Sequence, residues 1–292
     1  MKKIYIFLFL IILSQIIYGD ILFELEDPSG DDYGAGNIVY PEHPMFEKGI
    51  FDIVSFKVSL EKDYYIFSLT FAKKIKPVEH HEFKYNYSLP DDFILPLVHI
   101  YIDEDHIEES GFVETIFGTN VNISPENAWE RAVVFSSLSE RYRGALKKKQ
   151  PEFEKRTIIP DKIYVSKNKR ELSVKVPVSF LGEFSTDWGF TVLVMSHDFS
   201  QTVFKNIYIR EVKSTASQFN FGGGDGDLFK NYDPNIIDYI PPLFQKQKII
   251  LKDYDKENRK FTTVYAVYPL VSQVKEQSVI GEVKQISEDK VV

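Results

Sequence analysis

The chain has no cysteine among its 292 residues. That absence excludes disulfides and a disulfide-linked partner, thiolate zinc sites, iron–sulfur clusters and thiol nucleophiles. Such a protein holds together by its apolar core or by bound ions, and this length suffices for a core of ordinary size. Basic charge is also short: 35 Lys and Arg stand against 43 Asp and Glu, for a formal net charge of −8. Nucleic-acid binding needs clustered Lys and Arg to neutralise phosphates, so that class of partner is not expected. The one short basic run, Lys147, Lys148 and Lys149, reads as a solvated loop. Beyond the N-terminus no apolar run is long enough to cross a bilayer.

The start, MKKIYIFLFLIILSQIIYGD, is the exception. Lys2 and Lys3 precede an unbroken apolar stretch, and Gly19 is a small residue suited to a cleavage point. Residues 1–19 read as a secretory signal peptide, which makes the rest exported: periplasmic, extracellular or attached to the cell surface. The alternative is a retained membrane anchor, for which the stretch is short. Loss of Lys2 and Lys3 would take the formal charge from −8 to −10.

What is abundant is aromatic: 15% of residues, with 17 Tyr and 24 Phe. With Ile and Val these favour pleated, half-buried surfaces. Alternating segments recur between polar turns. In PLVHIYID, Val98, Ile100 and Ile102 share one face, and Leu97, His99, Tyr101 and Asp103 the other. EKD (61–63) and SKNKRE (166–171) read as hairpin turns, and PVSFLG as one helical turn between Pro177 and Gly182. KQKIILKDYD reads as a last strand, and KFTTVYAVYPL follows it. Helical periodicity is nearly absent, so the expected fold is all-β: a single β-sandwich, jelly-roll or immunoglobulin-like, with long loops, over residues 20–270. Residues 271–292 form a polar tail.

The segment EDPSGDDYGAGNIVYP (26–41) sets Asp27, Asp31 and Asp32 among Gly30, Gly34 and Gly36. Like charges this close repel. Two readings are open, a solvated Asx-rich turn and a calcium site. Calcium takes roughly six to eight oxygen ligands from carboxylates, backbone carbonyls and water. Asp27, Asp31 and Asp32 are then the side-chain ligands, with Asp52 as a further one and carbonyls of Gly30 or Gly34 completing the shell.

The same segment carries a resemblance. Asp27, Pro28, Gly30, Asp31, Asp32, Gly34, Gly36, Tyr40, Pro41, Phe51 and Asp52 match the opening pattern of the C-terminal binding module of glucodextranase and some amylopullulanases. These modules are DOMON-like β-sandwiches related to family 9 carbohydrate-binding modules. VHIYID, AWERAV, VKVPVSFLG, DWGFTVLVMSHD, FNFGGGDGD, NIID and QKQKIIL follow in the order of the family. Ile38 and Glu42 depart from it, standing where Tyr and Thr are usual. The resemblance implies a non-catalytic module binding polysaccharide or cell-surface glycan, with calcium as a structural ion. A stand-alone α-glucan hydrolase and a periplasmic structural protein without sugar affinity are the competing readings.

No residue pattern points to catalysis. In SHD (196–198) neighbours on a strand face opposite ways, which rules out a triad by adjacency. No pair of carboxylates stands out for glycoside hydrolysis. His80 and His81 read as exposed loop residues, and FGGGDGD as a flexible loop to which Asp225 or Asp227 could add a metal ligand. For sugar, the candidates are His99 and Tyr101 on the polar face of their strand, with Trp129 and Trp188 as aromatic plates that more often serve a core.

Overall fold

The computed structural model describes residues 20–78, 89–198, 209–225, 232–243 and 245–269. The leader 1–19, His80, His81, Asp227 and the tail 271–292 lie outside the described residues.

The strands are β1 (Asp20–Glu26), β2 (Ile53–Glu61), β3 (Tyr64–Phe71), β4 (Pro96–Asp103), β5 (Val121–Ile123), β6 (Arg131–Phe135), β7 (Thr157–Ile158), β8 (Tyr164–Val165), β9 (Glu171–Pro177), β10 (Gly189–Ser196), β11 (Asp238–Tyr239) and β12 (Thr262–Val264). The helices are α1 (Ser139–Lys149), α2 (Val178–Leu181) and α3 (Gln247–Leu251).

They build three sheets: β1-β2-β3-β9-β8, β11-β10-β4-β6-β7, and the pair β12-β5. The expectation of a pure all-β jelly-roll sandwich is corrected by this arrangement. Helices are interspersed among the strands, and no sheet closes on itself. Parallel pairings, β6 with β7 and β12 with β5, stand beside the antiparallel ones.

Two apolar clusters explain the layering. The larger joins Phe56, Val58, Phe67, Leu69, Val174 and Val176 of the first sheet to Val98, Ile100, Ile102, Val133, Phe190 and Val192 of the second. The alternation in β4 thus delivers its expected face to the core. Its other face is buried too, because the smaller cluster covers it with Tyr142 and Leu146 from α1 and with Ile250 and Leu251 from α3. Every residue of β4 is buried.

Both covering helices correct the sequence reading. The three lysines lie in the last turn of α1, where cations suit the helix C-terminus. Tyr142, Ala145 and Leu146 supply the i, i+3, i+4 face among charged neighbours. KQKIIL is a helix rather than a strand: Gln247, Ile250 and Leu251 are buried at the same spacing while Ile249 is exposed.

Other local expectations hold. β2 and β3 form a hairpin whose register closes at Glu61 and Tyr64. β8 and β9 pair across the SKNKRE turn. Pro177 and Gly182 flank α2. No helix among the described residues is long and apolar enough to cross a membrane.

Candidate metal centre

The acidic loop leaves β1 with its ladder still running, since the Asp27 amide donates to the Val54 carbonyl. Gly30 then turns the chain. Its N–H donates to Asp52 Oδ2 at 2.7 Å, and Ser29 Oγ donates to the same oxygen at 3.2 Å. At Gly34, φ is +55° and the N–H donates to the Ile237 carbonyl at 2.9 Å. A Cβ there would lie 2.5 Å from the Ile236 carbonyl oxygen, so only glycine allows the loop to seat on the segment leading into β11.

That contact brings in Asp238, the first residue of β11. Ile53 N donates to its Oδ2 at 2.6 Å and Tyr239 N to its Oδ1 at 2.9 Å, which fixes the carboxylate. Asp27, Asp31 and Asp238 each present one oxygen within 4.8 Å of the others. Asp52 closes the base of the loop. Asp32 is turned aside, with Oδ2 accepting from Tyr40 Oη and, at 2.7 Å, from Gly49 N. The structure therefore gathers two of the sequence candidates, Asp27 and Asp31, around a residue the sequence did not offer, with Asp52 and Asp32 at the margin.

The electrostatics of the group are adverse in the absence of a cation. Asp27 is held up to about 8, first by burial and then by the charges of Asp31 and Asp52. Asp31 is pushed up to about 6 by burial and by Asp52. Burial raises Asp52, and it raises Asp238 well above the carboxylate range with Asp27 and Asp31 adding to it. Asp27 Oδ2, Asp31 Oδ1, Asp32 Oδ1 and Asp52 Oδ1 are buried without a hydrogen-bond partner. Ion pairs to Lys or Arg do not form here among the described residues. Three clustered carboxylates, two of them with a buried oxygen that has no hydrogen-bond partner, offer the all-oxygen donors a hard dication takes.

A second cluster, Asp103, Asp105 and Glu130, also meets the spacing for a metal. Its oxygens are otherwise engaged. Asp103 Oδ1 accepts from His106 N at 2.7 Å and Asp103 Oδ2 from Tyr268 Oη, while Ser110 Oγ donates to Asp105 and Glu130 and Glu104 N donates to Glu130. These bonds order the loop after β4.

The glycine-rich segment packs against the acidic loop rather than extending it. Val39 and Gly222 exchange backbone hydrogen bonds of 2.9 Å, and a Cβ on Gly223 would meet the Asn37 carbonyl oxygen at 1.9 Å. Asp225 N donates to Asp233 Oδ2.

The four residues considered for sugar are interior. His99, Tyr101, Trp129 and Trp188 are all at most 2% exposed. His99 Nδ1 pairs with Tyr101 Oη at 3.1 Å and Nε2 with Tyr142 Oη at 2.8 Å. Trp129 Nε1 donates to the Glu114 carbonyl, and Trp188 packs edge-on against Tyr65. The polar face of β4 is thus a buried hydrogen-bonded layer beneath α1. His197, in the middle of SHD, is also buried, with Nε2 paired to Ser136 Oγ.

Asp238 escaped the sequence reading because its role needs a long-range contact. NIID stood out only as a motif, and nothing local marks its carboxylate as a ligand.

The model of one protein family, the C-terminal binding module, SLH-like, of glucodextranase, matches residues 22–266 of the chain. No curated protein matches it.

Proposed function

Because the chain belongs to the family of C-terminal binding modules of glucodextranase, we propose that it is an exported, non-catalytic protein that binds a carbohydrate or cell-envelope polymer and holds calcium between its acidic loop and β11. The observation that carries the binding role is the match across residues 22–266 to a binding module rather than to a catalytic domain. Support for the ion comes from the converging Asp27, Asp31 and Asp238 oxygens and the orphaned atoms beside them. Calcium suits an all-oxygen set better than a metal preferring nitrogen or sulfur. Asp27, Asp31 and Asp238 are its side-chain ligands, with Asp52 next to them. Export rests on the leader-like residues 1–19.

The test is twofold. Purified full-length protein should be retarded in native gels containing at least one of starch, pullulan or dextran, and should release no reducing sugar from any of them. Turnover lost on changing one Asp or Glu to its amide would overturn the non-catalytic reading. Calcium at a hundredfold excess over Kd should stabilise the fold by about 2.7 kcal/mol, and chelator should reverse this. A melting curve indifferent to both, with no bound metal by elemental analysis, would reduce the loop to a turn.

A further inference from the structure

A groove of about 360 Å³ runs beside the end of β1, between residues 240–243 with Gln245 on one side and residues 266–268 on the other. This volume falls in the range of small-molecule sites, roughly 300–1,000 Å³. Its floor is apolar, with Leu25, Ile240, Pro242 and Leu243, and Gln245 and Tyr268 supply polar groups. Asp27 and Pro28 form its wall on the side of the acidic loop. Among the described residues no Lys or Arg lines it.

The groove is braced at both ends. Gln245 N donates to the Pro242 carbonyl at 3.0 Å, closing a turn that presents Leu243, which is 42% exposed. Tyr268 is pinned by its hydroxyl, which donates to Asp103 and accepts from Asn127 Nδ2 at 2.8 Å, and by its ring, which stacks on His106 at 4.2 Å. Side chains held in place before binding lose less conformational entropy when a ligand arrives, which applies here to Tyr268.

We propose that this groove is the carbohydrate site, seating a neutral saccharide of one or two rings; the inference rests on the proposed binding role. Charge selects the occupant. Among the described lining residues Glu26 brings a carboxylate and no Lys or Arg is present, so the groove offers a phosphorylated or uronic ligand no side-chain cation to pair with. A neutral sugar meets both surfaces on offer: its C–H face lies on Pro242 and Leu243, and its hydroxyls bond to the Gln245 amide and the Glu26 carboxylate. The site is distinct from the buried Tyr101 face and from the outer face of the first sheet, where Ser68 and Ser173 stand side by side.

The test uses full-length protein and the neutral polysaccharide, among starch, pullulan and dextran, that retards it most. Leu243→Glu should weaken retardation at least tenfold and Gln245→Ala several-fold. Ile249→Glu, at an exposed apolar residue of α3 that does not line the groove, should leave it unchanged. Melting curves check that each variant is folded. Should Leu243→Glu unfold, amide chemical shifts of the wild type titrated with a soluble oligosaccharide of the same linkage decide the matter. Shifts centred on Leu25, Leu243, Gln245 and Tyr268 support the groove; shifts centred on Ser68, Ser173 and Tyr164 place sugar on the outer sheet face and overturn it. Wild-type binding with both groove variants unimpaired also overturns it, while leaving the binding role intact. A wild type that binds none of the three overturns both.

Discussion

Asp27 shows how one side chain serves two surfaces. Its Oδ2 is buried without a partner, its carboxyl is raised to about 8 mainly by burial, and its residue also walls the apolar groove. A buried, unpartnered carboxylate among like charges costs free energy unless it is neutralised. Asp27→Asn keeps the shape and removes the charge. In chelator the variant should melt higher than the parent, because the cost of burying that carboxyl, and with it the influence of Asp31 and Asp52, is removed. In excess calcium it should show no gain, whereas the parent rises by roughly 5–10 °C, the equivalent of about 2.7 kcal/mol for a chain of this size. Differential scanning fluorimetry in the two buffers reads both signs. An ordinary turn would show neither the higher chelated melting point nor the lost response.

Between elements, the decisive junction is the acidic loop against β11. Gly34 permits it, and Gln247 of α3 clamps it by donating Nε2 to the Asp31 carbonyl at 2.7 Å while its Oε1 accepts from Tyr239 N. One helix residue thus ties together the two segments that carry the carboxylates. Gly34→Ala should push the loop off the Ile236 carbonyl and weaken calcium binding at least tenfold by isothermal titration. Gly30→Ala is the contrast: φ there is +96° but nothing lies within 4 Å of the added methyl. That change should cost about 1 kcal/mol of stability through backbone strain and move calcium affinity far less. Equal loss of affinity in both variants would mean that loop strain, not docking on β11, governs the site.

At the scale of the whole molecule, the second sheet is covered on both faces while no disulfide shares the task of stabilisation. Trp129 anchors the smaller cluster, within 5.3 Å centroid distance of Tyr101, Phe112 and Phe153. Trp129→Ala should destabilise the fold by about 3–5 kcal/mol in urea titration. Because the ring is interior, sugar retardation measured well below the melting temperature should be unaffected. That is the reverse of Leu243→Glu, which should affect binding and leave stability nearly alone. A Trp129→Ala protein that is folded yet no longer binds would tie the tryptophan to the ligand.

The sequence by itself determined what depends on near neighbours. The alternation of Val98, Ile100 and Ile102 settled which face of β4 meets the main core, Pro177 and Gly182 settled the helical turn, and Asp27 and Asp31 marked the acidic site. The motif order from Asp27 to QKQKIIL also sufficed to point to the family that the comparison assigned. What the sequence left open depends on contacts far along the chain. KQKIIL is a short apolar run that fits strand and helix alike; in the fold Gln247, Ile250 and Leu251 are buried at helical spacing, with Gln247 bonded to the distant Asp31 carbonyl. His99 and Tyr101 lie on an alternating face that reads as half-exposed until α1 covers it. Asp238 is an acid among 43 until the Gly34 contact carries it beside Asp27. Periodicity records which side of an element is apolar; only the tertiary structure decides what lies against the other side, and so whether a polar group there meets water, a buried partner or an ion.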